Sequence, residues 1–359
     1  MILPAHRFIL LCLTDPSVIF VSSEFLQFNS PVFQIHSYRP DSLYSTSAKG
    51  LIFNLEKENK MAKSKVYFTS DTSKESLVRL YDILGKELTG NVAVKLHTGE
   101  HGNQNYLRPD YCKPIVDRVN GTVVECNTAY GHDMGGYRSN TCEHEKVVAE
   151  HGWNEFKFEI LDAQGPDKVL EIPNGKIIKK NFVGKDIEKY DSLLVLSHFK
   201  GHPMGGFGGA LKQLSIGVAS TAGKCWIHST GLTDSMEDCW TKEIVHDQFL
   251  EAMADAAESV DALFKDKVVY INCVVNLSVD CDCCGTAEDP CMQDIGILIS
   301  TDPVAIDQAC IDLVFNSDDP GRDHFVERVE SRNGVHTIEA AAELGFGSRE
   351  YELIDIDKQ

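Results

Sequence analysis

The residues best suited to chemistry lie in one segment, at positions 197–229. It reads SHFKGHPMGGFGGALKQLSIGVASTAGKCWIHS and contains His202, then Lys212 ten residues later and His228 a further sixteen residues on. Neutral imidazole binds metal ions and transfers protons near neutral pH. A desolvated lysine acts as a nucleophile or holds an acyl or phosphate group. The three residues are therefore candidates for a metal or cofactor site, although each of them alone could be structural.

Five glycines crowd the first half of this segment, between positions 201 and 209. Glycine lets the backbone approach a ligand closely. A helix that begins near Ala210 would direct free N–H groups at an anion such as phosphate. The segment is not a Walker A motif, because Lys212 does not follow a glycine. A tight structural loop is the alternative to cofactor binding, for which the candidates are Gly205, Gly206, Gly208, Gly209 and Lys212.

A second group consists of four cysteines within eleven residues, namely Cys281, Cys283, Cys284 and Cys291. Thiolates at such spacing can share one iron–sulfur cluster or a zinc ion. The spacing matches neither a ferredoxin run nor a zinc ribbon, and reduced thiols in a turn remain the alternative. A disulfide scaffold is not expected in a chain of this length without a clear secretion signal.

A third group follows a predicted strand at 91–96. His97 and Glu100 come directly after it, so they would project from the carboxyl end of that strand. His97 is a candidate general base or metal ligand, and a satisfied loop histidine is the alternative. A looser polar group gives a weak signal: His132, Arg138, Thr141 and His144.

The elements that must position these residues alternate between strand and helix. Strands are predicted at 65–69, 91–96, 122–125, 156–161, 192–197, 267–273 and 294–300. Thr72 and Glu75 form a capping-box pattern before a helix that Gly85 ends, and Asp302 with Pro303 begins another helix. The alternation predicts an α/β fold with a doubly wound, mostly parallel, Rossmann-like sheet. In such sheets ligands bind at the carboxyl ends of the strands.

Composition narrows the range of partners. The chain carries 54 acidic residues against 34 Lys and Arg, a formal net charge of −20. This balance argues against nucleic acid as a partner, because phosphate binding requires a basic surface. No stretch of eighteen uncharged apolar residues occurs, so we expect no membrane span and a cytoplasmic location.

The first sixty residues differ from the rest of the chain. They hold five basic and five acidic residues and show no sustained periodicity, whereas Met61 precedes a well-patterned strand. We predict that 1–60 is a disordered extension outside the fold, either a mis-assigned start or a targeting peptide. Residues 61–359 then form the α/β domain, with lobes at 61–190 and 191–359 as an option.

Long stretches of 61–359 resemble the uncharacterised Fe-S centre protein family, domain of unknown function 362. The resemblance rests on VKLHTGEHGNQNYLRPDY at 94–111, LVLSHFKGHPMGGFGGALKQLSIGVAS at 194–220, SVDCDCCG at 278–285 and DIGILISTDPVAIDQACIDLV at 294–314. It implies a soluble protein with an iron–sulfur centre, such as a [4Fe–4S] cluster. The family's Cys-x-Cys pair corresponds to Cys281 and Cys283, and Cys284 and Cys291 look like additions. Many relatives append a ferredoxin-like module with two cluster-binding cysteine runs, and this sequence contains no such run.

The spacing of His202, Lys212 and His228 is also similar to that in nickel-pincer lactate racemases. This resemblance implies that Lys212 anchors a nickel-containing nucleotide cofactor, that His228 binds the metal, and that His202 moves protons opposite His97. The racemases' phosphate-binding Asp-x-Thr-Arg pattern is absent, and residues 70–73 (SDTS) match it only in part.

Three functions are consistent with these features. The first is a metal or iron–sulfur protein with a redox role and a ferredoxin-type electron partner. The second is a nickel-pincer-like enzyme, racemase-like or an oxidoreductase, that acts on a small hydroxy- or oxo-acid. The third is a non-catalytic nucleotide- or metal-binding module. All three require a small-molecule ligand or cofactor.

Overall fold

The site is positioned by a sheet of eight strands in the described residues, which are 63–165 and 167–359 of the computed structural model. The twelve strands of this part of the chain, in chain order, are β1 (Ser64–Thr69), β2 (Val92–Lys95), β3 (Thr122–Glu125), β4 (Phe158–Ile160), β5 (Lys168–Glu171), β6 (Lys180–Val183), β7 (Ser192–His198), β8 (Lys200–His202), β9 (Gly206–Gly208), β10 (Val268–Val274), β11 (Gly296–Ser300) and β12 (Tyr351–Asp355). Two pairs, β5 with β6 and β8 with β9, form separate two-stranded sheets. The predicted extension at 1–60 lies outside the described residues.

Helices cover both faces of the sheet. They are α1 (Lys74–Leu84), α2 (Pro109–Arg118), α3 (Thr141–Glu150), α4 (Ala210–Lys212), α5 (Thr221–His228), α6 (His246–Phe264), α7 (Pro303–Phe315), α8 (Arg322–Ser331) and α9 (His336–Leu344). A π-helical turn, Gln213–Gly217, continues α4 without a break.

The strand order of the main sheet is β12-β1-β11-β10-β7-β2-β3-β4. Every neighbouring pair is parallel except the two pairs made by β11. The chain passes from β2 outward through β3 to β4, and then places β7 and β10 on the other side of β2. The direction of winding therefore reverses between β2 and β7, and open α/β sheets bind ligands at such a point.

Strand β7 shows why helices are needed on both faces. All seven of its residues are buried. Leu193 and Val195 join one hydrophobic cluster, while Leu194 and Leu196 join another, as the two-residue period of a strand requires. A strand that is apolar on both sides is typical of a parallel sheet covered twice. The predicted α/β, doubly wound, mostly parallel fold is confirmed.

Three predictions about helix ends have different outcomes. Helix α7 begins as predicted, because the Asp302 side chain accepts hydrogen bonds from the N–H groups of Val304 and Ala305. The predicted capping box at Thr72 is wrong: the N-cap of α1 is Ser73, which makes no side-chain cap hydrogen bond. Gly85 ends α1 in the left-handed conformation, as expected.

The chain on either side of residue 190 contributes to one sheet, since β2 pairs directly with β7. Residues 63–359 form a single unit.

Among the described residues, no helix combines the length and the apolar character that crossing a membrane would require.

Candidate metal centre

A cavity of about 660 Å³ opens at the carboxyl ends of β2, β3 and β7. Each strand delivers polar groups to it: β2 brings Lys95 and His97, β3 brings Glu125, and the chain after β7 brings His202. The π-helical turn adds Gln213, Ile216 and Gly217. The sequence groups that lie far apart in the chain meet here because the carboxyl ends of parallel neighbours share one edge of the sheet.

The cysteine-containing loop that follows β10 is held against this edge by a buried carboxylate. Asp282 accepts hydrogen bonds from His198 Nδ1 at 2.9 Å and forms a salt bridge with Lys200 Nζ at 2.9 Å. Burial alone would raise the pKa of Asp282, but His198 and Lys200 hold it well below its ordinary value. Gly201 permits the close contact, because a methyl group on it would lie 2.1 Å from the carbonyl oxygen of Val279.

Three potential metal ligands converge where this loop meets β8. Nε2 or Nδ1 of His202 and the sulfurs of Cys281 and Cys283 all lie within 4.8 Å of one another. His202 and Cys283 line the cavity, whereas Cys281 is fully buried beside them. Two thiolates and one imidazole are a ligand set that zinc and other thiophilic metals favour. The described residues therefore contain a candidate His/Cys metal site.

The orientation of the His202 ring is fixed by the backbone. Nδ1 accepts hydrogen bonds from the N–H groups of Gly205 at 2.8 Å and Met204 at 3.2 Å. Nε2 is the nitrogen that approaches Cys283, at 4.0 Å. In the neutral ring the proton therefore resides on Nε2. Ligation at Nε2 would require this proton to move to Nδ1 and the two backbone N–H contacts there to break, because a metal-bound histidine usually donates from its second nitrogen. His202 is therefore the weaker ligand, and the two thiolates are the stronger ones.

Lys212 supplies a positive charge to the thiol pair. Its Nζ lies 3.4 Å from Cys281 Sγ, which also accepts a hydrogen bond from the Cys283 backbone N–H at 3.4 Å. Burial alone would raise the pKa of Cys281. The hydrogen bond from the Cys283 thiol and the charge of Lys212 instead lower it well below the usual value. Conversely, burial opposes the charge on Lys212, but the Cys281 thiolate raises its pKa.

The remaining predicted cysteine ligands differ in position. Cys284 follows directly, and its thiol interacts with that of Cys283, which lowers the pKa of Cys284. Cys284 also lines the cavity. Cys291 is not part of this group: its thiol donates to the Leu277 carbonyl at 3.3 Å. The sequence placed all four sulfurs in one site because their spacing alone does not show that the chain turns away after Cys284.

The glycine-rich loop is not the anion cradle that the sequence suggested. The N–H groups of Ala210 and Leu211 donate to the buried carboxylate of Asp307, at 2.8 and 2.9 Å. Burial raises the pKa of Asp307 to about 6. A carboxylate of the protein thus occupies the position expected for a phosphate. None of the four predicted cofactor-binding glycines lines the cavity: Gly205, Gly206, Gly208 and Gly209. Gly206 instead packs against Gly334, and its φ of 78° favours glycine.

His228 lies in the cavity wall, outside the His202–cysteine group. Its ring stacks on Phe249 with centroids 4.8 Å apart and also contacts Trp240 at 4.8 Å. Nδ1 is buried and has no hydrogen-bond partner among the described residues. Burial, with the nearby His202 and Lys212, lowers the pKa of His228 to about 3, so the ring is neutral.

His97 also lines the cavity, but both of its nitrogens face donors. Gly99 N–H approaches Nδ1 at 3.0 Å and Arg138 Nη2 approaches Nε2 at 3.2 Å. A neutral ring carries one N–H, so only one of these contacts is a full hydrogen bond. Burial and the Arg138 charge lower the pKa of His97 well below the usual value. The arrangement resists protonation and therefore does not favour the predicted general-base role.

Among the cavity residues that sequence reasoning missed are Lys95 and Lys224. Lys95 had a signal, because it is the one charged residue in the apolar run 91–96. Lys224 had none, since a lysine in a helix is usually solvated. Arg138 belonged to a polar group that had only a weak signal in the sequence. It proves to be buried and to bind Glu100 at 3.1 Å and Glu125 at 3.0 Å.

Comparison with solved structures finds similar but distant chains. The lactate racemase apoprotein from Thermoanaerobacterium thermosaccharolyticum is 16% identical, with a TM-score of 0.37, and the match covers 58% of this chain and 50% of that one. A structural-genomics protein from Thermotoga maritima is 15% identical, with a TM-score of 0.36 and coverage of 75% and 58%. The chain thus spans only about half the length of these proteins. No curated protein matches it. The sequence profile described as Domain of unknown function (DUF362) matches residues 92–312, more than half of the chain, and the protein belongs to this family.

Proposed function

We propose that the protein is a metal-dependent enzyme that holds one ion at Cys281, Cys283 and His202 and acts on a small hydroxy- or oxo-acid in the adjoining cavity. The observation that carries the proposal is the convergence of three ligand atoms within 4.8 Å at the wall of a cavity of about 660 Å³. Pockets of this size with a few convergent polar groups are the usual sites of small-molecule chemistry.

The spacing favours a single ion over a cluster. Zinc–sulfur bonds of about 2.3 Å in a tetrahedral site place two sulfurs roughly 3.8 Å apart. Ligand atoms that already lie within 4.8 Å of one another reach that geometry with small side-chain shifts. A [4Fe–4S] cluster would hold its cysteine sulfurs farther apart, because each cysteine binds a different iron atom. Three protein ligands also leave one coordination position open, as in catalytic zinc sites.

The bound ion would act as a Lewis acid on a substrate oxygen. The chain's own groups would position the substrate and carry protons. Lys212 lies beside the thiol pair and also lines the cavity, so it supplies a cationic group next to the proposed metal site. The neutral ring of His228, held between Phe249 and Trp240, offers a second polar group in the cavity wall.

An iron–sulfur protein with a redox role and a ferredoxin-type electron partner is the second candidate. The observation that favours it is the contact between the Cys283 and Cys284 thiols, which brings a third sulfur to the group. Three cysteines could bind a cluster and leave one iron for a non-protein ligand. The absence of Cys291 from the group leaves this candidate one thiolate short of the usual four.

A nickel-containing nucleotide tethered to Lys212 fits less well. A covalent bond to this lysine requires the neutral amine. The ion pair with Cys281 raises the pKa of Lys212 and so favours its charged form. The predicted metal ligand His228 also lies outside the His202–cysteine group.

Metal and sulfide analysis of the full chain, purified without oxygen, tests the proposal. We expect about one zinc or iron per chain, no labile sulfide and no added mass on Lys212. Cys281→Ser and Cys283→Ser should lose the metal. His202→Ala should weaken binding less, and Cys142→Ser, which alters an exposed thiol, should keep it. Equimolar iron and sulfide would establish the cluster instead, and an adduct on Lys212 with nickel would establish the nucleotide. Metal retained by both cysteine variants would refute this site.

A further inference from the structure

Two buried lysines in the cavity lack a carboxylate partner. Lys95 is 1% exposed, and its Nζ donates to the Leu96 carbonyl at 2.6 Å and to Gln213 Oε1 at 3.3 Å. Lys224 is 7% exposed, and its Nζ donates to the Ala219 carbonyl at 2.5 Å. Neither lysine forms a salt bridge with any carboxylate in the part of the chain that the structure describes.

This arrangement is costly unless a ligand completes it. An ammonium group removed from water without a counter-ion is among the least favourable burials in a protein. The chain carries 54 acidic residues, so counter-ions are not scarce. Burial lowers the pKa of Lys95 to about 8, which still leaves it mainly charged at neutral pH. Both lysines line the same cavity, which indicates that their partner comes from solution.

Glu125 is the one carboxylate among the described residues that lines the cavity, and its charge acts on Lys95 without a salt bridge. It is already bound by Arg138, which it shares with Glu100. The two lysines therefore meet a single, shared negative charge in the cavity. One further carboxylate, supplied by a monoanion, is enough to pair with them.

The other residues of the cavity wall indicate the chemical character of the rest of this monoanion. Ile216, Met204 and Trp240 present apolar surface to the cavity. His228 adds a buried Nδ1 that has no partner among the described residues. A buried polar atom of this kind normally has a hydrogen-bond partner, and the neutral ring is suited to a hydroxyl or carbonyl oxygen.

We propose that Lys95 and Lys224 form the carboxylate subsite of the cavity, and that the ligand is a monocarboxylic acid with an apolar body and a neutral oxygen substituent. The choice of a 2-hydroxy- or 2-oxo-acid rests on the proposed function. The carboxylate subsite itself needs no metal, because neither lysine belongs to the ligand group. The glycine-rich loop is excluded as the anion site, since Asp307 already occupies it.

Binding to the full chain after chelator treatment tests the subsite. The probes are phenyllactate and 2-oxo-4-methylpentanoate, each with its neutral amide, and inorganic phosphate. We expect the acids to raise the melting temperature and to bind, by calorimetry, more tightly than the amides and phosphate. Lys95→Met and Lys224→Met should weaken the acids about thirtyfold or more. Lys113→Met, which alters an exposed lysine, should leave their affinity unchanged.

The stability of the ligand-free variants is the second measurement. If the lysines await a ligand, Lys95→Met and Lys224→Met remove an uncompensated charge, and their melting temperatures should stay level or rise. A large loss of stability would show that the lysines are structural. Acids that bind no better than their amides, or phosphate that binds best, would overturn the monocarboxylate. Cys281→Ser should keep acid binding, so a protein that binds the acids but no metal would refute only the metal centre.

Discussion

The ammonium of Lys212 lies 3.4 Å from the sulfur of Cys281, and this contact joins the glycine-rich segment to the cysteine loop. The two residues are sixty-nine positions apart in the chain. They meet because β7 and β10 are parallel neighbours whose carboxyl ends open on the same edge of the sheet. The pair places a lysine at the wall of the cavity and the low-pKa thiol of Cys281 directly behind it.

Replacing Lys212 by Met should raise the pKa of Cys281. The lysine is one of the groups that hold this pKa well below its usual value, so its loss favours the neutral thiol. The measurement is an ultraviolet titration of the thiolate in chelator-treated protein, taken as the difference from the Cys281→Ser variant. Lys113→Met should leave the titration unchanged. An unaltered midpoint in Lys212→Met would show that the thiolate depends on hydrogen bonds alone.

Replacing Asp282 by Asn should lower the free energy of unfolding by about 3–5 kcal/mol at neutral pH, because Lys200 would be left buried and unpaired. Denaturant unfolding measures the change. Asp117→Asn, at an exposed pair with Lys113, should cost less than about 1 kcal/mol. A loss no larger than this control would mean that the Lys200 charge is compensated elsewhere.

The stability of Asp282→Asn relative to wild type should also depend on pH. The pKa of Asp282 is depressed in the folded protein, so its stabilisation is present above the unfolded value of about 3.9 and is lost as the pH falls towards the folded value. The difference in unfolding free energy between wild type and Asp282→Asn should therefore be constant from neutral pH to about 5 and should shrink below about 4. A difference that grows on acidification would contradict the depressed pKa.

The fold could be read from the sequence because its strands are unusually uniform. Seven buried residues in β7 and seven in β10 leave no polar face, and this pattern excludes most alternatives to a covered parallel sheet. The capping box at Thr72 was wrong for a local reason. Asp71 accepts hydrogen bonds from Ser73 N–H and the Ser76 hydroxyl, and this moves the helix start by one position.

The site was harder to predict, because its chemistry depends on which groups are already satisfied. The glycine loop has the composition of an anion cradle, yet a carboxylate ninety-seven residues away in the chain, Asp307, fills it. Lys224 belongs to no motif, and Lys95 stands out in the sequence only as a charge in an apolar run. The absence of a salt-bridge partner among the described residues is what identifies both lysines in the structure. The spacing of residues in the sequence gives the candidates for a site. The hydrogen-bond and ion-pair partners of those residues in the folded protein decide among the candidates.

The pH dependence of stability tests whether Asp307 is the hydrogen-bond acceptor of the glycine-rich loop. Burial raises its folded pKa to about 6, so its contribution to stability is fully present below the unfolded value of about 3.9 and is lost as the pH rises through 6. Asp307→Asn cannot ionise and should abolish that decline, although it should cost about 1–3 kcal/mol because one N–H donor loses its acceptor. Unfolding free energies of both proteins between pH 4 and 7 check this. Parallel pH profiles would contradict the raised pKa.

Replacing Gly201 by Ala should weaken metal binding at Cys281 and Cys283, although Gly201 itself is not a ligand. The added methyl group would lie 2.1 Å from the Val279 carbonyl oxygen, so the loop that carries Cys281 and Cys283 must move away from His202. Overpacking of this kind costs about 1–3 kcal/mol of stability, and a shift of the loop separates the ligand atoms. We expect a lower melting temperature and weaker metal retention during dialysis against a chelator. Gly165→Ala is the matched control, because no atom lies within 4 Å of its added methyl group. If Gly201→Ala is destabilised but still retains metal like wild type, then Cys281 and Cys283 bind the ion without a fixed contact between their loop and β8.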